Sequence, residues 1–66
     1  METINQNQAS VLLQAHFLGV SAHADGKKST PCLDKSLMDL IGENDGMAIP
    51  IMKQWAKGWH ERNASI

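Results

Sequence analysis

The sequence has 66 residues, enough for one domain, and a single cysteine, Cys32, which excludes an intramolecular disulfide. Because a domain of this size buries only about 60% of the surface that its unfolded chain exposes, we expect a metal or a second chain to stabilise it. Six Lys and Arg residues against seven Asp and Glu residues give a formal net charge of −1, which argues against a non-specific nucleic-acid binder and a polybasic membrane binder.

The N-terminal sequence and the hydropathy of the chain favour a cytoplasmic protein. Residues 1–5 are acidic and polar, whereas a secretory signal begins with positive charge. The most apolar stretch, residues 9–24, is interrupted by polar side chains and so falls short of the roughly 20 apolar residues of a membrane helix. One unpaired cysteine is also typical of a reducing compartment.

Two clusters of turn-forming residues divide the chain into three segments. Residues 25–31 read Asp-Gly-Lys-Lys-Ser-Thr-Pro, and residues 42–46 read Gly-Glu-Asn-Asp-Gly. No segment shows the alternation of apolar and polar residues that is typical of strands. The sequence therefore predicts one all-α domain over residues 1–66, with two to three short helices at about residues 7–24, 31–41 and 49–62 forming a helical hairpin or small bundle.

The first predicted helix, residues 7–24, is apolar around most of its circumference and contains no Asp, Glu, Lys or Arg. Such a helix is buried on several sides, and the rest of this short chain offers little surface to cover it. We therefore expect homo-oligomerisation through this helix; the alternative is that the helix ends at Gly19 and forms the core of a monomer. The residues expected at the oligomer interface are Val11, Leu12, Ala15, His16, Leu18, Gly19 and Ala22.

The second segment predicts a short amphipathic helix. Thr30 is a favourable N-cap, Pro31 suits the first helical position, and Gly42 ends the helix. Apolar residues recur at the spacing of one helix face. They are Leu33, Leu37, Leu40 and Ile41.

The third segment carries the candidate surface for a partner. Pro50 suits a first helical turn, and two tryptophans one turn apart lie among lysines. Tryptophan is enriched at binding hot spots, although the same pair suits a core, or stacking on nucleic-acid bases. We expect Trp55 to be the more buried ring, because it continues the apolar stripe of residues 51–52. The residues expected to bind a partner are Trp55, Trp59, Lys53 and Lys57.

Residues that could support catalysis are present, but their spacing assembles no active site. Cys32 is a possible nucleophile and His16, His23 and His60 are possible bases, yet nothing in the spacing brings them together. The same residues lack the close ligand pairs of structural zinc sites. We therefore expect no enzymatic activity, no cofactor and no metal. In a symmetric oligomer the histidines of the first helix would instead make assembly sensitive to pH.

Residues 15–21, Ala-His-Phe-Leu-Gly-Val-Ser, resemble the beginning of a helix-turn-helix DNA-binding motif, in which the glycine forms the turn. The recognition helix should follow at once, with apolar residues six and nine positions after the glycine. Asp25 and Lys28 occupy those positions, and Gly26 would weaken that helix. A small DNA-binding transcriptional regulator with a degenerate helix-turn-helix is therefore the alternative function.

Over its whole length the chain resembles the small early accessory proteins of lambda-like phages, such as those of the exo-xis region. The resemblance rests on the polar residues 1–4, on Cys32 and on the charged, tryptophan-containing residues 53–62. It implies a small, helical, non-enzymatic protein in the host cytoplasm that modulates a host or phage process through protein contacts. The expected partners are thus a second copy and a host or phage protein, whereas nucleic acid and membrane are not expected.

Overall fold

The structure, a computed structural model, describes residues 6–65, and its regular secondary structure is all helical. Helix α1 spans Gln6–Ala24, α2 spans Lys35–Glu43 and α3 spans Ala48–Ser65, with one 3-10 turn at Pro31–Leu33 before α2. No strand occurs among these residues, so the predicted all-α fold is confirmed. The polar N-terminal residues 1–5 and Ile66 lie outside the described residues.

The three helices follow an up-down-up course. Glu43 at the end of α2 lines a groove with Ser10, near the start of α1, whereas Ser36 at the beginning of α2 lies beside Phe17, so α2 runs antiparallel to α1. Helices α1 and α3 consequently run parallel. No helix in this part of the chain combines the length and the apolar character needed to cross a membrane.

Helices α1 and α3 approach until their backbones touch. A Cβ atom built on Gly19 would collide with the carbonyl oxygen of Trp55, and one built on Gly58 would collide with the carbonyl oxygen of His16. Each helix therefore needs a residue without a side chain where it crosses the other. Ala15, next to this crossing on α1, is fully buried.

The core lies within this single chain and draws on all three helices. A contiguous cluster of seven apolar side chains is buried there, and half-buried apolar residues pack around it. Leu37, Ile51 and Trp55 are its largest fully buried side chains. The cluster consists of Val11, Ala15, Ala22, Leu37, Leu40, Ile51 and Trp55.

The second helix begins later than predicted. Residues 31–33 form a 3-10 turn, and the Thr30 side chain makes no capping hydrogen bond. Asp34 is the N-cap of α2, since its Oδ1 accepts a hydrogen bond from the Leu37 backbone N–H at 3.2 Å. The prediction of Thr30 as a helix cap is therefore wrong. As a consequence, Leu33 lies outside α2 and is 78% exposed rather than part of its apolar face.

The end of α2 is set by an asparagine instead of by Gly42. The helix continues through Gly42 to Glu43, and the side chain of Asn44 donates a hydrogen bond to the Leu40 carbonyl at 2.8 Å. This bond satisfies one of the carbonyls that a helix end leaves without a partner. The helix therefore ends one residue later than the predicted stop at Gly42, because the Asn44 side chain caps the helix end there.

Candidate interaction surface

The seven residues predicted to form an oligomer interface fall into two groups. Val11, Ala15, Gly19 and Ala22 are buried within the chain's own fold, where Gly19 meets the backbone of α3. These four are core residues rather than an exposed interface, because the small side chains let α3 cover this side of α1. The other three are half-buried: Leu12, His16 and Leu18.

A different side of α1 remains open and apolar. Leu13 is 57% exposed and Phe17, one turn later, is 59% exposed. Large apolar side chains that lie together on a surface are typical of an interaction site, whereas single ones are common on any protein. The sequence prediction missed these two residues. The signal that could have found them is the position of Ala15, Gly19 and Ala22, whose small side chains mark the side of α1 that another helix approaches closely.

Phe17 borders a groove between α1 and α2 with a volume of about 450 Å3. Half-buried Leu18 and buried Leu40 also line the groove, and two carboxylates, Asp39 and Glu43, lie on its α2 side. We refer to it as the acidic groove. The residues that define it are Gln14, Phe17, Leu18, Ser36, Asp39, Leu40 and Glu43.

A second depression lies beside the connection between α1 and α2, with a volume of about 350 Å3. Trp55 contributes to its wall, exposed Leu33 stands beside it, and Lys27 and Lys28 lie along it. We refer to it as the basic pocket. The residues that define it are Gly26, Lys27, Lys28, Thr30, Leu33, Asp34 and Trp55.

The two tryptophans predicted to bind a partner have different environments. Trp55 is 1% exposed, and its Nε1 donates a hydrogen bond to Asp34 Oδ2 at 2.8 Å. It is therefore a core residue, and its assignment to a partner-binding surface is corrected. Trp59 is half-buried, as expected for the less buried ring of the pair. Lys53 and Lys57, predicted beside them, are exposed.

Trp59 ties α3 to the connection that follows α1. Its Nε1 donates a hydrogen bond to the Lys27 carbonyl at 2.8 Å. The rings of His23 and His60 each contact the Trp59 ring edge-to-face, with their centroids 4.9 Å from that of Trp59. This arrangement positions the backbone at Lys27 and therefore one edge of the basic pocket.

Each of the three histidines makes a separate polar contact between α3 and an earlier part of the chain. His16 Nε2 lies 2.9 Å from Glu61 Oε1, His23 Nε2 lies 3.0 Å from Asn63 Oδ1, and His60 Nε2 lies 3.3 Å from Ser29 Oγ. Within the described residues, no group of three or more His, Cys, Asp or Glu side chains is arranged to hold a metal ion. Cys32 is an exposed free thiol. These histidines act as links between α3 and the segment of residues 16–29.

The pattern that resembled a helix-turn-helix motif does not form a turn. Residues 15–21 lie inside the continuous helix α1, and Gly19 provides the contact with α3. The glycine is thus explained by helix packing, and the structural basis for the DNA-binding alternative is absent at these residues. Comparison of the chain with protein-family models, with curated proteins and with solved structures finds no match.

Proposed function

We propose that this chain is a small, non-enzymatic, helical protein–protein interaction module that associates with copies of itself. The observation that carries the proposal is the exposed pair Leu13 and Phe17 on a helix without a charged residue. Half-buried Leu18 and the apolar wall of the acidic groove extend this surface. Covering Leu13 and Phe17 removes apolar area from water, which favours a protein partner.

We interpret the two depressions as binding surfaces. Neither the acidic groove nor the basic pocket is lined by a histidine or a cysteine. The Asp34 carboxylate accepts bonds from Leu37 and Trp55 and is thereby committed to the fold. In the biological setting we propose, the module is a phage or bacterial accessory protein that modulates a host or phage process in the cytoplasm.

Mass measurement by light scattering after size-exclusion chromatography tests the proposal. At micromolar concentration we expect the wild-type mass to be a small multiple of 7.2 kDa. Phe17→Asp should reduce the mass to that of one chain and leave the helical circular dichroism unchanged, because Phe17 lies outside the buried core. The reason is that association would now cover a carboxylate in place of the apolar Phe17 ring.

Ile49→Asp is the matched control for this variant. Ile49 is 65% exposed, so the substitution introduces the same charge at an equally exposed, large apolar position away from the acidic groove. An acidic residue also suits the first turn of α3. The mass of Ile49→Asp should equal that of the wild type. A wild-type chain that stays monomeric throughout the micromolar range would overturn the proposal.

A further inference from the structure

The two depressions on this molecule carry opposite charges around apolar walls. Asp39 and Glu43 lie at the acidic groove, and Lys27 and Lys28 lie at the basic pocket. Within the described residues, Lys27, Lys28 and Glu43 form no ion pair. Asp39 has only an exposed contact with Lys35 at 3.6 Å. These four charges are therefore available to an external partner.

Each depression also has a large apolar side chain at its edge. Leu33, at the end of the 3-10 turn, is 78% exposed, and Phe17 is 59% exposed at the acidic groove. The volume of the groove, about 450 Å3, is in the range of about 300–1,000 Å3 that is typical of ligand-binding clefts. A leucine with adjacent lysines and an apolar groove with adjacent carboxylates are complementary in polarity and charge.

We propose that the partner in the acidic groove is a second copy of this chain, which inserts Leu33 beside Phe17 and pairs Lys27 and Lys28 with Asp39 and Glu43. The inference rests on the self-association proposed above and specifies its contact. Charge decides between the possible pairings: two acidic grooves facing each other would repel, as would two basic pockets, whereas groove against pocket is attractive.

The arrangement of the two surfaces favours a closed dimer. Asp34, which lines the basic pocket, is only two residues from Ser36, which lines the acidic groove, so both surfaces adjoin the start of α2. One two-fold axis near this point lets each copy place its Leu33 in the groove of the other. The expected mass is therefore twice that of one chain.

Charge reversal tests the pairing. One variant combines Lys27→Glu with Lys28→Glu, and the other combines Asp39→Lys with Glu43→Lys; all four side chains are exposed, so both variants should fold. Each variant alone should be monomeric, because like charges then face each other. An equimolar mixture should recover a dimer, since in the mixed pair every contact is again between opposite charges. Raising the salt concentration should weaken the wild-type dimer.

Leu33→Ser tests the apolar part of the contact. The substitution should weaken dimerisation roughly tenfold or more while leaving the circular dichroism unchanged, because a leucine buried only in the dimer is lost. Charge-reversal variants that still dimerise alone, or a mixture that remains monomeric, would overturn the pairing. If Phe17→Asp still dissociated the assembly in that case, the proposed function would stand and only the assignment of the contact would fall. A monomeric wild-type chain would overturn both the proposed self-association and the proposed contact.

Discussion

At the scale of single residues, two glycines determine how α1 and α3 meet. Gly19 and Gly58 each face a carbonyl group of the opposite helix, whereas Gly42 in α2 has no atom within 4 Å of the position that a Cβ would occupy. Glycine weakens an isolated helix by about 1 kcal/mol relative to alanine. Close packing therefore offsets this loss of helix stability at Gly19 and Gly58, whereas no close contact offsets it at Gly42.

Gly58→Ala should destabilise the fold by roughly 2 kcal/mol. The new methyl group forces the helices apart, and the free energy lost in this way exceeds the gain in helix propensity. Gly42→Ala is the matched control and should stabilise the fold by about 0.5–1 kcal/mol, because its methyl group meets open space. Urea unfolding followed by circular dichroism measures both. Equal effects of the two substitutions would show that the backbones are not in contact.

At the scale of elements, α2 depends on contacts with its surroundings. A helix of nine residues is too short to be stable by itself in water. Asp34 caps its N-terminus with one carboxylate oxygen and accepts the Trp55 indole hydrogen bond with the other, which joins the start of α2 to α3. Asn44 caps the opposite end. The position of α2, and with it the acidic groove, is thus held by side-chain hydrogen bonds at both ends.

Asp34→Ala should lower the free energy of unfolding by roughly 2–3 kcal/mol, because it removes both a helix cap and a charged acceptor. Trp55→Phe removes the same indole hydrogen bond, so the double variant should be less destabilised than the sum of the single variants, by about 1 kcal/mol. Asp45→Ala is the control and should change the stability by less than about 0.5 kcal/mol, since its side chain is exposed and lies outside both depressions. If the effects of the two single substitutions on the free energy of unfolding were strictly additive, the hydrogen bond between Trp55 and Asp34 would be contradicted.

At the scale of the whole molecule, the distribution of charge matters more than its sum. The formal net charge is −1, yet α1 contains no Asp, Glu, Lys or Arg. Lys27 and Lys28 line one depression, whereas Asp39 and Glu43 line the other. A molecule of this kind attracts a partner in one orientation and gives little general attraction to a polyanion.

We therefore expect random duplex DNA to bind more weakly than about 10 μM at physiological salt, as measured by fluorescence anisotropy of labelled DNA. The variant that combines Asp39→Lys with Glu43→Lys has a positive net charge and should bind the same duplex more tightly. Sub-micromolar, salt-sensitive binding by the wild-type chain would instead favour the DNA-binding alternative, with Lys27 and Lys28 as the first residues to substitute.

Local patterns in the sequence were sufficient for the fold class and for the number of helices. The clusters of turn residues at 25–31 and 42–46 lie at the boundaries between the helices, because glycine, proline and asparagine act on the backbone locally. The greater burial of Trp55 followed from its place in an apolar stripe. These features need only neighbouring residues, which is why they could be predicted.

Only the tertiary structure decided which side of α1 is core and where α2 begins. Helix α1 is apolar on most sides, so its periodicity selects no core face. The face is selected by packing against α3, where the Trp55 carbonyl meets Gly19 and Gly58 meets the His16 carbonyl. Likewise, Asp34 caps α2 while it also binds Trp55, 21 residues away in sequence. Both choices depend on partners that are distant in the chain, and the exposed pair Leu13 and Phe17 is the surface that those choices leave uncovered.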